Sequence, residues 1–160
     1  MSMVRSAAKN DVPKLVEWMG KLVSHVRVSS ADPYVWNLQE GHEKHYQPWF
    51  EKAIDSADIA IYVAEHNHAP VGFVLGIITT PFIKSSVIRN IGQIELCWVD
   101  ALYRKQGIAA DLVRELENWF KQKNIVYVDL QYLLGNMEAE LTWKQLGYLP
   151  YRVTARKRIQ

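Results

Sequence analysis

Apolar and polar positions follow two rhythms along this chain. From Val12 onward, apolar residues fall at Val12, Leu15, Val16, Met19, Leu22 and Val23, the three-to-four spacing of one helix side. Asn10 or Asp11 is placed to cap that helix, and Pro13 stands in its first turn, where a missing N–H costs nothing. "SSADPY" breaks the pattern. A second helix is predicted from about Glu40 to Ser56, with Trp49, Phe50 and Ile54 as its apolar positions. Period-two stretches surround and follow these helices: "VRSA" opens the chain, and "IAIYVAE", "HNHAP" and "VGFVLGIITT" read as strand, turn and hairpin partner. After a loop through Pro81 come a long strand "NIGQIELCWVD" and a helix "IAADLVRELENWF", whose apolar positions are Ile108, Leu112, Leu116 and Phe120. A strand "IVYVDLQYL", a short helix from Asn136 to Leu146 and a closing strand "YRVTARKRI" complete the series. The order β-α-α-β-β-β-α-β-α-β, with no repeat and no linker, describes one α/β domain over residues 1–160. Its sheet should be mixed, antiparallel early and parallel around the helix that starts near Ile108.

Composition narrows the classes. The 160 residues, 49% hydrophobic and 22% charged, suit one globular domain with a real core. A net charge of +2 is too small to argue for nucleic acid or an anionic membrane, and the terminal cations of "ARKRIQ" lack a broader basic face. Cys97 is the only cysteine, so no intrachain disulfide forms and a reducing compartment is expected. The opening "MSMVRSAAKNDVP" has no apolar signal core, and no apolar run reaches membrane-spanning length. The expectation is a cytoplasmic protein with neither nucleic-acid nor membrane partners.

Candidate chemistry begins at "YRKQGIAADLV", where Gly107 falls at a helix start directly after an apolar strand. The first N–H groups of a helix lack internal acceptors, and the dipole makes that end positive. A glycine there admits close approach of a ligand, so the stretch reads as an anion cradle, for phosphate above all. The hexamer alone also fits a solvated helix start. Neither a P-loop nor a dinucleotide fingerprint is present. Glu95 lies amid "IGQIELCWV", where burying a carboxylate is expensive unless it serves the chemistry or pairs structurally with a neighbouring Arg. Ile94 and Leu96 share one parity and Val99 the other, which predicts a β-bulge that splays this strand from the next. Cys97 has no histidine placed to activate it and reads as an inert small hydrophobe. His42 and His45 share a helix face but lack further ligands at metal spacing, so no metal site is expected.

The segment "IELCWVDALYRKQGIAADLV" resembles the central motif of the GCN5-related N-acetyltransferases, the GNAT superfamily, in which a strand runs into a "YRGKGIG"-like loop and a helix. Farther on, "NMEAELTWKQLGY" resembles the second motif of that family, through Asn136, Ala139, Trp143, Gly147 and Tyr148. The opening "VRSAAKNDVPKLVEWM" and the element order agree over essentially the whole chain. The resemblance implies a GNAT-like mixed, mostly antiparallel sheet flanked by helices. It also implies an acetyl-CoA-dependent transferase that moves an acetyl group to a primary amine by direct attack, without a metal.

By the same resemblance, the backbone of Gln106, Gly107, Ile108 and Ala109 would hold the pyrophosphate of acetyl-CoA, with Arg104 and Lys105 adding charge. The pantetheine arm would lie along Cys97, Trp98 and Val99, and Asn136 would stand on its side or serve as a plain helix cap. Glu95 would take a proton from the amine, because an alkylammonium is about one part in a thousand neutral at pH 7. Trp143 occupies the place where most relatives carry a tyrosine that protonates the departing thiolate. Indole N–H is a donor but far too weak an acid, so Trp143 is expected to pack against cofactor or core. Tyr148, Tyr132 or water are then left as the acid. The acceptor groove would involve His25, Asp32, Tyr34, Trp36, Trp49 and the 81–86 loop. Implied partners are acetyl-CoA and an amine, on a small molecule or a protein, and a homodimer stays open. The competing class is a non-catalytic acyl-CoA sensor or interaction module of the same fold.

Overall fold

The structure, a computed structural model, describes residues 2–29 and 36–159. Its elements are β1 (Ser2–Ser6), α1 (Val12–Ser29), α2 (Tyr46–Ile54), β2 (Ile59–His66), β3 (Ala69–Thr79), β4 (Ile91–Val99), α3 (Ile108–Gln122), β5 (Val128–Leu130) and α4 (Met137–Gln145). The five strands form one sheet in sequence order, antiparallel from β1 to β4 and parallel between β4 and β5. Asn67 and His68 connect β2 to β3 with φ of 51° and 64°, the left-handed pair that a two-residue hairpin turn requires.

The period-two pattern of the strands sends side chains into two cores. On one face Leu15, Trp18 and Phe50 from α1 and α2 are fully buried against Val63, Phe73 and Leu75. Trp18 stacks on Phe73 with centroids 5.6 Å apart. On the other face Leu112, Leu116 and Phe120 of α3 pack on Ala64, Val71 and Val74. This helix lies very close to the sheet. A Cβ on Gly92 would stand 2.7 Å from the Phe120 ring, and one on Gly76 would stand 2.8 Å from the Leu116 methyls. Truncating Leu116 or Phe120 to alanine should therefore cost about 2–5 kcal/mol.

Asp11 anchors the start of α1. Its carboxylate accepts the Ala8 N–H at 2.8 Å and both terminal nitrogens of Arg5 at 2.8 and 2.9 Å, tying β1 to the helix. The Arg5 hydrogen bonds hold its pKa below the usual carboxylate value, against the opposing effect of burial.

The bulge in β4 is present, and its position is informative. Leu75 pairs with Leu96 and Gly76 with Ile94, so Glu95 has no partner on β3. The extra residue flips the parity between its neighbours. Ile94 joins the α3 core and Leu96 packs against the α1 core, so the two do not share a face as their spacing suggested. Three further expectations are corrected. The second helix begins at Tyr46, after a 3-10 turn over His42–His45, rather than near Glu40. The strand expected over "IVYVDLQYL" is confined to Val128–Leu130, the residues in register with β4. The closing strand "YRVTARKRI" does not form: residues 151–159 are exposed and carry no strand pairing. That segment offers few apolar side chains to bury, and side chains hold it instead. The Tyr151 hydroxyl donates to Asp129, and the Arg152 guanidinium lies 4.6 Å from the Phe82 ring centre.

Candidate active site

The site starts where β4 and β5 part. They pair only from Gly92 to Ile94 against Val128 to Leu130, and beyond Glu95 the strands diverge. The Asp100 N–H donates to Val71 O at 2.8 Å, which turns the polar groups of Asp100 toward β3. Strand alternation then turns those of Val99 and Cys97 to the open side. There the Arg104 Nε donates to Val99 O at 2.9 Å. The gap widens into a cleft of about 960 Å³, walled by α1 on one face and by α3 and α4 on the other.

At its upper end stands the start of α3. Gly107 caps the helix at φ 82°, a left-handed conformation natural to glycine and strained for other residues. No heavy atom of the described residues would lie within 4 Å of a Cβ there, so the space in front of the helix is open among them. The Asp111 N–H closes on Gly107 O at 3.0 Å, and the N–H groups of Ile108, Ala109 and Ala110 have no intrahelical acceptor. These residues and Lys105 line the cleft.

Two of the charged and polar side chains expected at the phosphate end are engaged elsewhere. Arg104 is bracketed: besides Val99 O, it bonds Glu138 at 3.1 and 3.3 Å and covers the Trp98 ring at 4.7 Å. The Gln106 amide turns back to Leu102 O at 3.0 Å, and its side chain is not part of the cleft wall. Lys105, with φ 60°, makes no ion pair among the described residues.

Glu95, at the vertex of the divergence, is exposed rather than buried, because the bulge lifts it out of the sheet. Its carboxylate has no hydrogen-bond partner among the described residues. The surrounding walls still strip enough solvent to raise its pKa above the ordinary glutamate value. Cys97 is half-buried beside it, and desolvation pushes its thiol up to about 12, which removes it as a nucleophile at neutral pH. Trp98 turns toward α1, where its Nε1 donates to Asp100 at 3.0 Å and its ring meets the His25 edge.

On the opposite wall Asn136 caps α4, its side-chain oxygen accepting the Ala139 N–H at 3.2 Å, and it also faces the cleft. Trp143 is buried in the α3 core, edge-on to Tyr148, with part of its surface in the cleft wall. The Tyr148 hydroxyl donates to Glu117 at 2.8 Å and is no part of that wall. Burial first, and then Glu117, raise the Tyr148 pKa far above the usual phenol value. Tyr132 does line the cleft. Of the residues expected at the acceptor groove, His25 and Trp36 line it, whereas Trp49 and the 81–86 loop do not. Asp32 and Tyr34 lie outside the described residues. Sequence reasoning missed Glu138, which joins α4 to Arg104 and approaches His25 at 3.6 Å. No local pattern signals a contact between residues 34 positions apart. Among the described residues there is no cluster of side chains able to hold a metal ion, and no helix long and apolar enough to cross a membrane.

The same architecture recurs in solved structures. The aminoglycoside 6'-N-acetyltransferase of Acinetobacter haemolyticus superposes with a TM-score of 0.74 at 17% identity, covering 99% of each chain. An aminoglycoside N-acetyltransferase in complex with CoA gives a TM-score of 0.77 at 15% identity, covering 100% of this chain and 96% of the other. A predicted acetyltransferase of Clostridium acetobutylicum, with acetyl-CoA, gives 0.75 at 17% identity, covering 99% and 97%. No curated protein sequence matches the chain. The family model for acetyltransferases of the GNAT family matches residues 15–148, and the chain belongs to that family.

Proposed function

We propose that the protein transfers the acetyl group of acetyl-CoA to a primary amine, with Glu95 as the base. The observation that carries this reading is the single cleft that joins an open helix start to an unpartnered carboxylate along an unpaired strand edge. From Val99 to Glu95 that edge spans about 13 Å at roughly 3.3 Å per residue, a length suited to an extended pantetheine arm. The helix start at Gly107 to Ala110 favours the pyrophosphate. The Cys97 backbone and the Val99 N–H offer strand-like hydrogen bonds to the arm, and an N–H there can steady the carbonyl oxygen as charge develops on it. Arg104 acts as a fixed strut that occupies Val99 O, so phosphate charge falls to Lys105 and the helix.

The chemistry asks for a neutral amine. Glu95 takes the proton from the ammonium directly or through a water, the free amine forms the N–C bond as the C–S bond breaks, and the second proton released from nitrogen passes to water or to the departing thiolate. Catalysis otherwise consists of positioning, which the rigid β4 and α3 supply. Trp143 delivers no proton, and Tyr148 is committed to Glu117 with a pKa that opposes transfer. The thiolate of CoA leaves unassisted, or takes a proton from Tyr132 or water, since thiols near pKa 8.5 are fair leaving groups.

Release of free CoA thiol from acetyl-CoA, measured over several amine classes against an enzyme-free blank, tests the reading. Amine-dependent release that collapses in Glu95→Gln is the expected result. Binding of acetyl-CoA without turnover of any amine would favour a non-catalytic acyl-CoA-binding module instead.

A further inference from the structure

The cleft wall opposite the cradle has a character that the cofactor does not need. There α1 presents Met19, Leu22, Val23 and Val26, all half-buried, at the spacing of a single helix face. Val23 and Val26 belong to neither hydrophobic core of the described residues. Trp36 lines the same cleft.

Charge is sparse on this wall. Among the described residues the cleft has two carboxylates, Glu95 and Glu138. Glu138 is occupied by Arg104 at 3.1 Å and lies 3.6 Å from the His25 Nε2. Among the described residues that leaves Glu95 as the one open acid of the cleft, while Lys105 adds positive charge to its lining. A ligand with one ammonium group and an apolar body matches this inventory. A polycation would hold its surplus ammonium groups against apolar side chains, with no second open carboxylate among the described residues to receive them.

We infer that the acceptor is a primary monoamine carried on an apolar, alkyl or aryl, body, with the ammonium at Glu95 and the body on the Met19–Val26 face of α1. This rests on the transferase reading given above. It sets the chain apart from the aminoglycoside enzymes that share its fold, whose substrates carry several amines. Recognition would come from burial of the apolar body, with Glu95 supplying one charge-assisted contact.

Free CoA release by the full chain, compared for phenethylamine and hexylamine against kanamycin and spermidine at one pH, tests the assignment. The expected kcat/KM for both monoamines is at least about tenfold above that for either polycation. Val23→Asp should lower the monoamine value by about tenfold or more, chiefly through KM, while the rise in Tm on adding acetyl-CoA persists. If Val23→Asp does not fold, the isosteric Val23→Thr should show a smaller loss in the same direction. Kanamycin or spermidine turned over as well as the monoamines would overturn the inference and leave the transferase reading standing. Monoamine kinetics unchanged in the folded Val23 variants would overturn it equally. Silence toward all four amines, with acetyl-CoA still raising Tm, would sink the transferase reading and this inference with it.

Discussion

Glu95 combines three properties in one side chain: no β3 partner, no hydrogen bond among the described residues, and a pKa raised by its surroundings. A raised carboxyl pKa means the base form is lost at a higher pH than for an ordinary glutamate of about 4.3. Activity should therefore fall on the acid side earlier than a solvated carboxylate would allow. Glu95→Gln should lower kcat/KM by about ten- to a thousandfold at neutral pH, the range of general-base assistance. The deficit should narrow as pH rises toward the pKa of the amine, where the base is no longer needed. A deficit that stays constant with pH would assign Glu95 a structural role. Trp143 makes the complementary case. It is buried against Tyr148 and has no acidic proton to give, so Trp143→Phe should keep kcat within about tenfold. A thousandfold fall in a folded variant that binds acetyl-CoA would show that the indole takes part in the chemistry.

Among the elements, α1 offers the clearest energetic test, because its start is pinned by a partly buried ion pair. The Arg5 hydrogen bonds depress the Asp11 pKa, so this carboxylate contributes stability that is fully present above the unfolded value of about 3.9. That contribution is lost as pH falls through the lower folded value. Asp11→Asn should cost about 2 kcal/mol at pH 7 in chemical denaturation, as expected for a charge-assisted hydrogen bond, and the gap should close in acid. An equal gap at pH 3 and pH 7 would show that the charge is irrelevant. The start of α1 also shows what sequence patterning conveys. The helix, its cap region and its buried Leu15 were legible because they obey local spacing and local hydrogen bonding. So was the existence of a bulge in β4, although the parity of Ile94 and Leu96 against Val99 put it after Leu96, whereas it lies at Glu95. Its exact residue was not legible, because that depends on which partner β3 offers. The exposure of Glu95, the Arg104–Glu138 pair and the lack of a strand over residues 151–159 were hidden for the same reason. Each is decided by a surface distant in sequence.

The molecule as a whole has a weak seam, and the proposed ligand lies along it. The β4–β5 pairing runs only from Gly92 to Ile94, so β5 and α4 are joined to the rest through little main-chain bonding. Acetyl-CoA seated between the start of α3 and the wall formed by β5 and α4 would bridge that seam and stabilise the folded state by mass action. At a concentration of one hundred times Kd the linkage amounts to about 2.7 kcal/mol, or a Tm rise of roughly 5–10 °C for a chain of this length. Gly107 decides whether that happens. A Cβ there meets no atom of the described residues within 4 Å, but a side chain would occupy the anion position in a strained left-handed backbone. Gly107→Glu adds a negative charge to the obstruction, and should abolish the acetyl-CoA-dependent rise in Tm. Strain alone would lower the Tm of the free protein too, so the decisive quantity is the ligand-induced shift and not the starting value. Gly107→Ala separates the two effects, since it carries the strain without the charge and should retain part of the shift. A Gly107→Glu protein whose Tm still rises with acetyl-CoA as the parent does would place the phosphates elsewhere and remove the helix start from the site.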